Sequence, residues 1–542
     1  MKLFLCLVFT LVSTISCDTD PDGPIVKTDA GVLRGLKRIS SVTNQTIYSF
    51  QGIRYAAPPV GKLRFEPPQS YKWDGVYPAT QEGSPCIQSD NNGQTIDSED
   101  CLFMNIYSPD IKRIDLPVIV YIYGGGYTVG SASSSAFLSP DLLVGEDVIF
   151  VNFGYRLGIF GFITTGDRKA PGNGGLKDQI FALKWVRKNI RKFGGDPFKV
   201  TIMGESAGAM SVSWLMQSLL TAGLFRAAIM QSGSSLSPWA HSKRTKELTY
   251  DIARTLNIDN STSENLVEGL KSVDANKLQN VAYRKFQEYF RENPLYDRVI
   301  APVIEPIHPG AVITRSSIEN LKIGRFERVP CLMGFNSNEG VALSLTLEYL
   351  QSLKAYASNE QLFVPLDKEI KSGLDKTILG NHISKKYFQN GSILNNIPKA
   401  EMLFGDVQFA YPIWKTGFLQ SRFVPVYFYQ LSFKSAWGQF ISGQSTSYEG
   451  VGHMEDLAYL FYSSLIKYSP PNCILTRNRM VRLWTNFVKY REPTRRNDLV
   501  LNNLIWPSVK TNNFSYLDIN SELTIQTNPK AEIINFWDDI FK

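Results

Sequence analysis

The chain has 542 residues, 43% of them hydrophobic and 20% charged, with a net charge of +7. This is an ordinary globular composition with ample material for a large core. The cations are scattered, short clusters such as Arg187-Lys188 and Arg495-Arg496 lack interleaved aromatics, and a nucleic-acid groove is not expected. No Pro/Ser-rich linker, low-complexity run or internal repeat divides the chain, so residues 18–542 read as one large domain with insertions.

Residues 1–17 read as a secretory signal: Lys2 is the positive end, Leu3 to Val12 the apolar core, and Thr14-Ile15-Ser16-Cys17 a small-residue cleavage region. The apolar core is too short to span a bilayer, and the longest later run, Val148 to Ile163, is interrupted by Asn152 and Arg156. The last residues carry neither an anchor signal nor a retention tetrapeptide. The expected destination is therefore extracellular. Of six cysteines, Cys6 and Cys17 belong to the signal region. Cys86 and Cys101 are near enough in sequence to close a short loop in an oxidising compartment. Cys331 lies in an apolar strand-like run and reads as a buried thiol. No C-x-x-C pair exists and histidines number four, so no metal site and no cofactor are expected. Sequons at Asn44, Asn260, Asn390 and Asn513 agree with secretion.

Along the chain, Ser49 to Ala56 leads into a proline-punctuated stretch, and Asp100 to Tyr107 alternates as a strand does. Leu116 to Tyr123 is a buried-strand pattern ending in Gly124-Gly125-Gly126, and Val148 to Val151 is another. Apolar spacing predicts a helix over Lys177 to Lys192. Next, the apolar run Val200 to Met203 meets Gly204-Glu205-Ser206-Ala207-Gly208, followed by a helix-compatible stretch to Leu220. A strand entering a helix through Gly-x-Ser-x-Gly is the context of a nucleophile elbow: the turn is tight and side chains at either glycine would collide with neighbouring elements. The alternative is a Gly-rich turn carrying a passenger Ser. Strands follow at Arg226 to Met230, Val329 to Gly334 and Val424 to Leu431, with a helix at Arg477 to Lys489. The middle, 241–300 and 341–405, is helix-biased and polar. Strands alternating with helices predict an α/β fold with a mostly parallel sheet and large helical insertions.

A serine hydroxyl needs a base, and the base needs an orienting group. The histidines are His241, His308, His382 and His453. The elbow arrangement orders nucleophile, acid and base along the chain. This favours His453, in the flexible Gly450-Val451-Gly452 loop; His382 sits in a polar, surface-like stretch, and His241 and His308 lack the late position. Among the carboxylates, Glu339 directly follows a buried strand in a Gly/Asn-rich loop, where an α/β sheet collects catalytic groups. Its structural alternative is a cap on the next helix. Backbone N–H groups of Ala207 and of the Gly124-Gly125-Gly126 loop suit an oxyanion hole.

These segments resemble the type-B carboxylesterase family, which includes the cholinesterases, from Gly52 to Trp506. The likeness rests on Glu99 to Tyr107, Gly175 to Gln179 with Phe193 to Pro197, Gly204 to Ala209, Asn338-Glu339-Gly340 and His453 to Leu457. It implies the α/β-hydrolase fold, Ser206 as nucleophile, Glu339 as acid and His453 as base. It further implies Gly125, Gly126 and Ala207 as oxyanion donors, a Cys86–Cys101 disulfide, and Trp239 in the acyl pocket, with Glu205 and Ser232 beside the triad. For Trp239 the alternative is an ordinary core position. Departures are Tyr123 where many members have His, a short Cys86–Cys101 loop without Trp, Glu205 where juvenile-hormone esterases usually have Gln, and Glu305 in place of Asp. The short loop argues against choline esters. Glu205 argues against juvenile hormone, without excluding it.

The expectation is a secreted serine esterase acting on small-molecule esters through an acyl-enzyme, monomeric or weakly oligomeric, with no membrane span. An unperturbed His titrates at about 6.5, so turnover should fall on acidification through that region. Rival readings are a non-catalytic binding or adhesion member of the same fold, whose mark is loss of the triad, and a lipase, whose mark is activation at a lipid interface.

Overall fold

Eleven strands pair into one mixed sheet: β1 (Leu36–Ile39), β2 (Thr46–Arg54), β3 (Phe103–Ser108), β4 (Leu116–Ile122), β5 (Ile149–Phe153), β6 (Gly195–Glu205), β7 (Ala227–Gln231), β8 (Cys331–Asn336), β9 (Val426–Leu431), β10 (Ser515–Ile519) and β11 (Leu523–Thr527). Their order across the sheet is β11-β10-β9-β8-β7-β6-β4-β5-β3-β2-β1. The six pairings from β5 through β4 and β6 to β10 are parallel, and both flanks are antiparallel. The computed structural model describes residues 23–90, 92–133, 139–292, 299–343, 347–365, 370, 372–389, 391–443 and 448–542. The signal-like segment, with Cys6 and Cys17, and the sequon residue Asn390 lie outside these.

The central strands are the apolar, β-branched runs. Every residue of β4, β5, β7 and β8 is buried, as strands covered on both faces require. Helices α1 (Gly174–Asn189), α2 (Ala207–Met216), α3 (Ile397–Gly405), α4 (Tyr411–Gln420), α5 (Pro471–Tyr490) and α6 (Ala531–Phe541) matter for the site. Of these, α1, α2, α4 and α5 pack on the strands of the sheet. Helix α1 starts three residues before the predicted Lys177. Its glycines are demanded by packing: a Cβ on Gly175 would meet the Arg156 carbonyl oxygen at 2.6 Å, and one on Gly174 the Gly161 carbonyl oxygen at 2.9 Å. The same contact zone holds a buried ion pair, with Arg156 Nε and Nη2 donating to Asp178 at 2.8 and 2.7 Å. At its other end α1 tightens into a 3₁₀ turn, Ile190–Phe193, closed by left-handed Gly194. Helix α2 ends at Met216 rather than Leu220, and Leu219–Thr221 forms a separate 3₁₀ turn.

Long insertions after β7 and β8 are helical, as the middle of the chain predicts. The second builds a satellite core of Leu353, Tyr356, Phe363, Phe388 and Phe404, closed by Trp537 of α6. Cys86 and Cys101 form a disulfide, and Cys331 and Cys473 are buried thiols. Asn44 and Asn513 are exposed and Asn260 half-buried. Among the described residues no helix is long and apolar enough to cross a membrane, and no cluster of His, Cys, Asp and Glu has a metal-binding arrangement.

Candidate active site

Parallel strands deliver their carboxyl ends to one edge of the sheet, and the predicted residues gather there. Strand β6 passes into α2 through Ser206, whose backbone adopts φ 57° and ψ −125°. Few non-glycine residues accept this conformation, and it is held from both sides. Ser206 N donates to Gln231 O of β7 at 2.9 Å. A Cβ on Gly204 would lie 2.4 Å from the carbonyl of Gly208, and one on Gly208 would lie 2.0 Å from the Ile122 carbonyl oxygen of β4. The two glycines are therefore the spaces into which the turn closes.

His453 Nε2 lies 2.8 Å from Ser206 Oγ, and Nδ1 lies 2.7 Å from Glu339 Oε2. Ser206 and His453 are buried and retain 5% and 9% exposure. Glu339 is fixed through its other oxygen: Oε1 accepts from Asn336 N at 2.7 Å and from Ser232 Oγ at 2.6 Å. The acid and base loops are stitched together directly. Asn338 N donates to Val451 O at 2.8 Å, Val451 N to Ser337 Oγ at 2.9 Å, and Asn336 Nδ2 to Gly452 O at 2.8 Å. His241, His308 and His382 are elsewhere. His241 packs edge-on against Trp214, His308 meets Glu305, and His382 is exposed beside Phe536.

After β4 the chain turns through Gly125 and Gly126, both with positive φ (103° and 61°). Their N–H groups and that of Ala207, the first residue of α2, donate to no protein acceptor among the described residues. The loop abuts the elbow: a Cβ on Gly124 would sit 2.8 Å from Ser206 Cβ. Tyr123, in the place where many members of the resembling family have His, is buried against Tyr155. It stacks on Tyr155 at 4.5 Å, and Tyr155 Oη donates to the Tyr123 carbonyl at 2.9 Å. That pair pins the start of the glycine loop.

Three buried carboxyl groups, Glu205, Glu339 and Asp456, act on the imidazole and set its charge. Burial alone would lower the pKa of His453, but Glu205 and Glu339 outweigh it and push the value up to about 9. Glu205 is buried and pushed up to about 8 by that burial, against the pull of His453. Its Oε1 lies 3.2 Å from His453 Nε2 without forming a hydrogen bond, so the contact is electrostatic. The two groups titrate as a coupled pair. Burial also raises Asp456, which accepts from Gln231 Nε2 at 2.5 Å; Gln231 in turn accepts from Trp484 Nε1. Glu455 accepts from Gly452 N at 2.9 Å and shapes the loop before the histidine.

Trp239 is buried and meets Phe409 edge-to-face at 5.9 Å; Phe409 in turn lies 4.7 Å from the His453 ring. Phe409 carries no local signal in sequence. It sits in a π-helical turn, Asp406–Ala410, between α3 and α4. Pro412 follows that turn and has no N–H for the carbonyl of Gln408, which is where a helical ladder widens. Helix α6 and Lys530, the residue just before it, brace the segment through Lys530–Asp406 at 3.1 Å and Lys415–Asp538 at 2.5 Å. Glu305, the departure from Asp, is fully buried and accepts from Lys177 Nζ and Asn173 Nδ2, both at 2.8 Å.

Comparison with known proteins identifies relatives over nearly the whole chain. The model of the "Carboxylesterase family" matches residues 22–537. A juvenile hormone esterase of Tribolium castaneum is 35% identical, over 93% of this chain and 90% of that protein. A carboxylic ester hydrolase of Bombus ignitus is 33% identical, over 95% and 94%. The crystal structure of juvenile hormone esterase from Manduca sexta, with OTFP covalently attached, superposes with a TM-score of 0.84 at 30% identity, covering 95% of this chain and 99% of that one.

Proposed function

We propose, from the premise that this chain belongs to the carboxylesterase family, adopts the α/β-hydrolase fold and is a carboxylic ester hydrolase, that it cleaves small-molecule esters through an acyl-enzyme on Ser206. The observation that carries this reading is the unbroken line Ser206 Oγ, His453 Nε2, His453 Nδ1 and Glu339 Oε2, with bonds of 2.8 and 2.7 Å at its two ends.

His453 takes the hydroxyl proton as Ser206 Oγ attacks the ester carbonyl carbon. The oxyanion is bound by the N–H groups of Gly125, Gly126 and Ala207, each worth about 100–1,000-fold in rate. The C–O bond to the alcohol breaks as His453 returns the proton to the leaving oxygen. Water then repeats the sequence on the acyl-enzyme and frees the acid. Glu339 holds the imidazole with Nδ1 protonated and stabilises its positive form. Phe409 and Trp239 form the wall beside His453 that the acyl group meets.

The signal-like residues 1–17, the disulfide and the exposed sequon at Asn513 support secretion as one domain after cleavage. The test is a panel of short- and long-chain esters with wild type and Ser206→Ala. The variant should lose at least about 10³-fold in kcat while retaining its fold. Undiminished hydrolysis would overturn Ser206 as nucleophile.

A further inference from the structure

Away from Ser206, two adjoining clefts of about 350 and 360 Å³ share Leu220, His308 and Gly310 in their walls. Each is within the size of small-molecule sites. They lie around the far end of α2. Ser206 caps the first turn of that helix, whereas the second cleft starts at Trp214, about 12 Å along the axis at 1.5 Å per residue.

The walls combine cationic side chains with exposed aliphatic ones. Leu219 and Ile307 keep 73% and 80% of their surface in solvent, and Phe181 and Ile180 continue the apolar lining into the first cleft. The charge is one-sided. Arg168 and Lys184 line the first cleft and Arg315 and Arg325 the second, and none has an ion-pair partner among the described residues. The single lining carboxylate among them, Glu66, is already paired with Lys271 at 2.7 Å. Unpaired cations beside exposed aliphatic side chains match one ligand chemistry, an anionic head on an aliphatic chain. The enzyme itself generates that class. Each turnover frees a carboxylic acid, and a carboxyl group with an ordinary pKa near 4 is ionised at neutral pH.

We propose that this double cleft binds a long-chain carboxylate, the product class of ester hydrolysis, at a site separate from the nucleophile. The carboxylate rests on Lys184 and Arg168 or on Arg315 and Arg325, and the chain lies on Leu219, Leu220 and Ile307.

The test titrates sodium dodecanoate, below its micellar concentration, into the full-length protein by calorimetry. Parallel titrations use dodecanol, inorganic phosphate, and vesicles of phosphatidylcholine with phosphatidylserine. Saturable dodecanoate binding is expected, tighter than for dodecanol or phosphate. It should weaken about tenfold in Lys184→Glu/Arg315→Glu, with hydrolysis of a short ester unchanged. Should the double variant fail to fold, Lys184→Gln, Arg315→Gln and Leu219→Ser each carry the same comparison. Equal dodecanoate affinity in wild type and variants, equal affinity for dodecanol, or binding to anionic vesicles with none to free dodecanoate overturns the proposal.

Discussion

Replacing Glu339 by Gln preserves the shape of the side chain and changes only what its two terminal atoms offer. Oε1 is held between two donors, Asn336 N at 2.7 Å and Ser232 Oγ at 2.6 Å. The amide oxygen must occupy that position, so the NH₂ group faces His453 Nδ1, which carboxylate Oε2 now meets at 2.7 Å. Nδ1 is thereby forced to accept, the proton moves to Nε2, and Nε2 can no longer take the proton of Ser206. Restoring the productive tautomer means turning NH₂ toward the Asn336 N–H, which can only donate, at about 1–3 kcal/mol, while the Ser232 hydroxyl can rotate to accept. At about 1.4 kcal/mol per tenfold, the productive form falls by between about fivefold and about 100-fold. Initial rates on a p-nitrophenyl ester should show the loss in kcat with KM little changed. Glu339→Asp, which keeps the charge, should lose less. A Glu339→Gln enzyme within about threefold of wild type would refute the orienting role of Glu339.

The remaining predictions concern the charge, the turn and the crosslink. His453 acts as a base only when neutral, and its value is raised to about 9, so activity is present at higher pH and lost as pH falls through a midpoint above the ordinary 6.5. Glu205→Gln removes one of the carboxylates that raise it, and should move the acid limb of kcat/KM to lower pH; an unmoved limb counts against an ionised Glu205. Gly208→Ala drives a methyl onto the Ile122 carbonyl oxygen, 2.0 Å away, and should destabilise by about 3 kcal/mol or more; an unchanged Tm contradicts the close packing. Cys86→Ser/Cys101→Ser opens a 15-residue loop and should cost about 3 kcal/mol of stability, read as a lower denaturant midpoint; equal midpoints count against it.

The elbow was legible because its demands are local. Gly204 and Gly208 are the residues whose absent side chains the turn needs, and they flank Ser206 in sequence. His453 could be singled out because histidines are scarce, and Glu339 because buried strand β8 ends beside it. The surroundings of Tyr123 were visible only in three dimensions, where it stacks on Tyr155. Phe409 was not legible. It lies in the helix-biased middle, and its place against His453 follows from the widened turn before Pro412 and from the brace by α6. The ion pair of Arg156 with Asp178 was hidden likewise, since Arg156 read only as an interruption of an apolar run. The pH expectation also shifted, because the carboxylates around His453, Glu205, Glu339 and Asp456, converge from three separate segments.

The stitching between the acid and base loops bears on how the enzyme matures. Glu339 and His453 are 114 residues apart and Ser206 and His453 247 apart, and three hydrogen bonds join the loops that carry the acid and base. Closing such distant contacts is the slow part of forming a parallel sheet. A nascent or refolding chain can therefore have β4, β6 and β7 paired and its elbow formed while no working base faces the serine. Collapse and secondary structure would return first after dilution from denaturant, and hydrolysis only when the loops after β8 and β9 have docked.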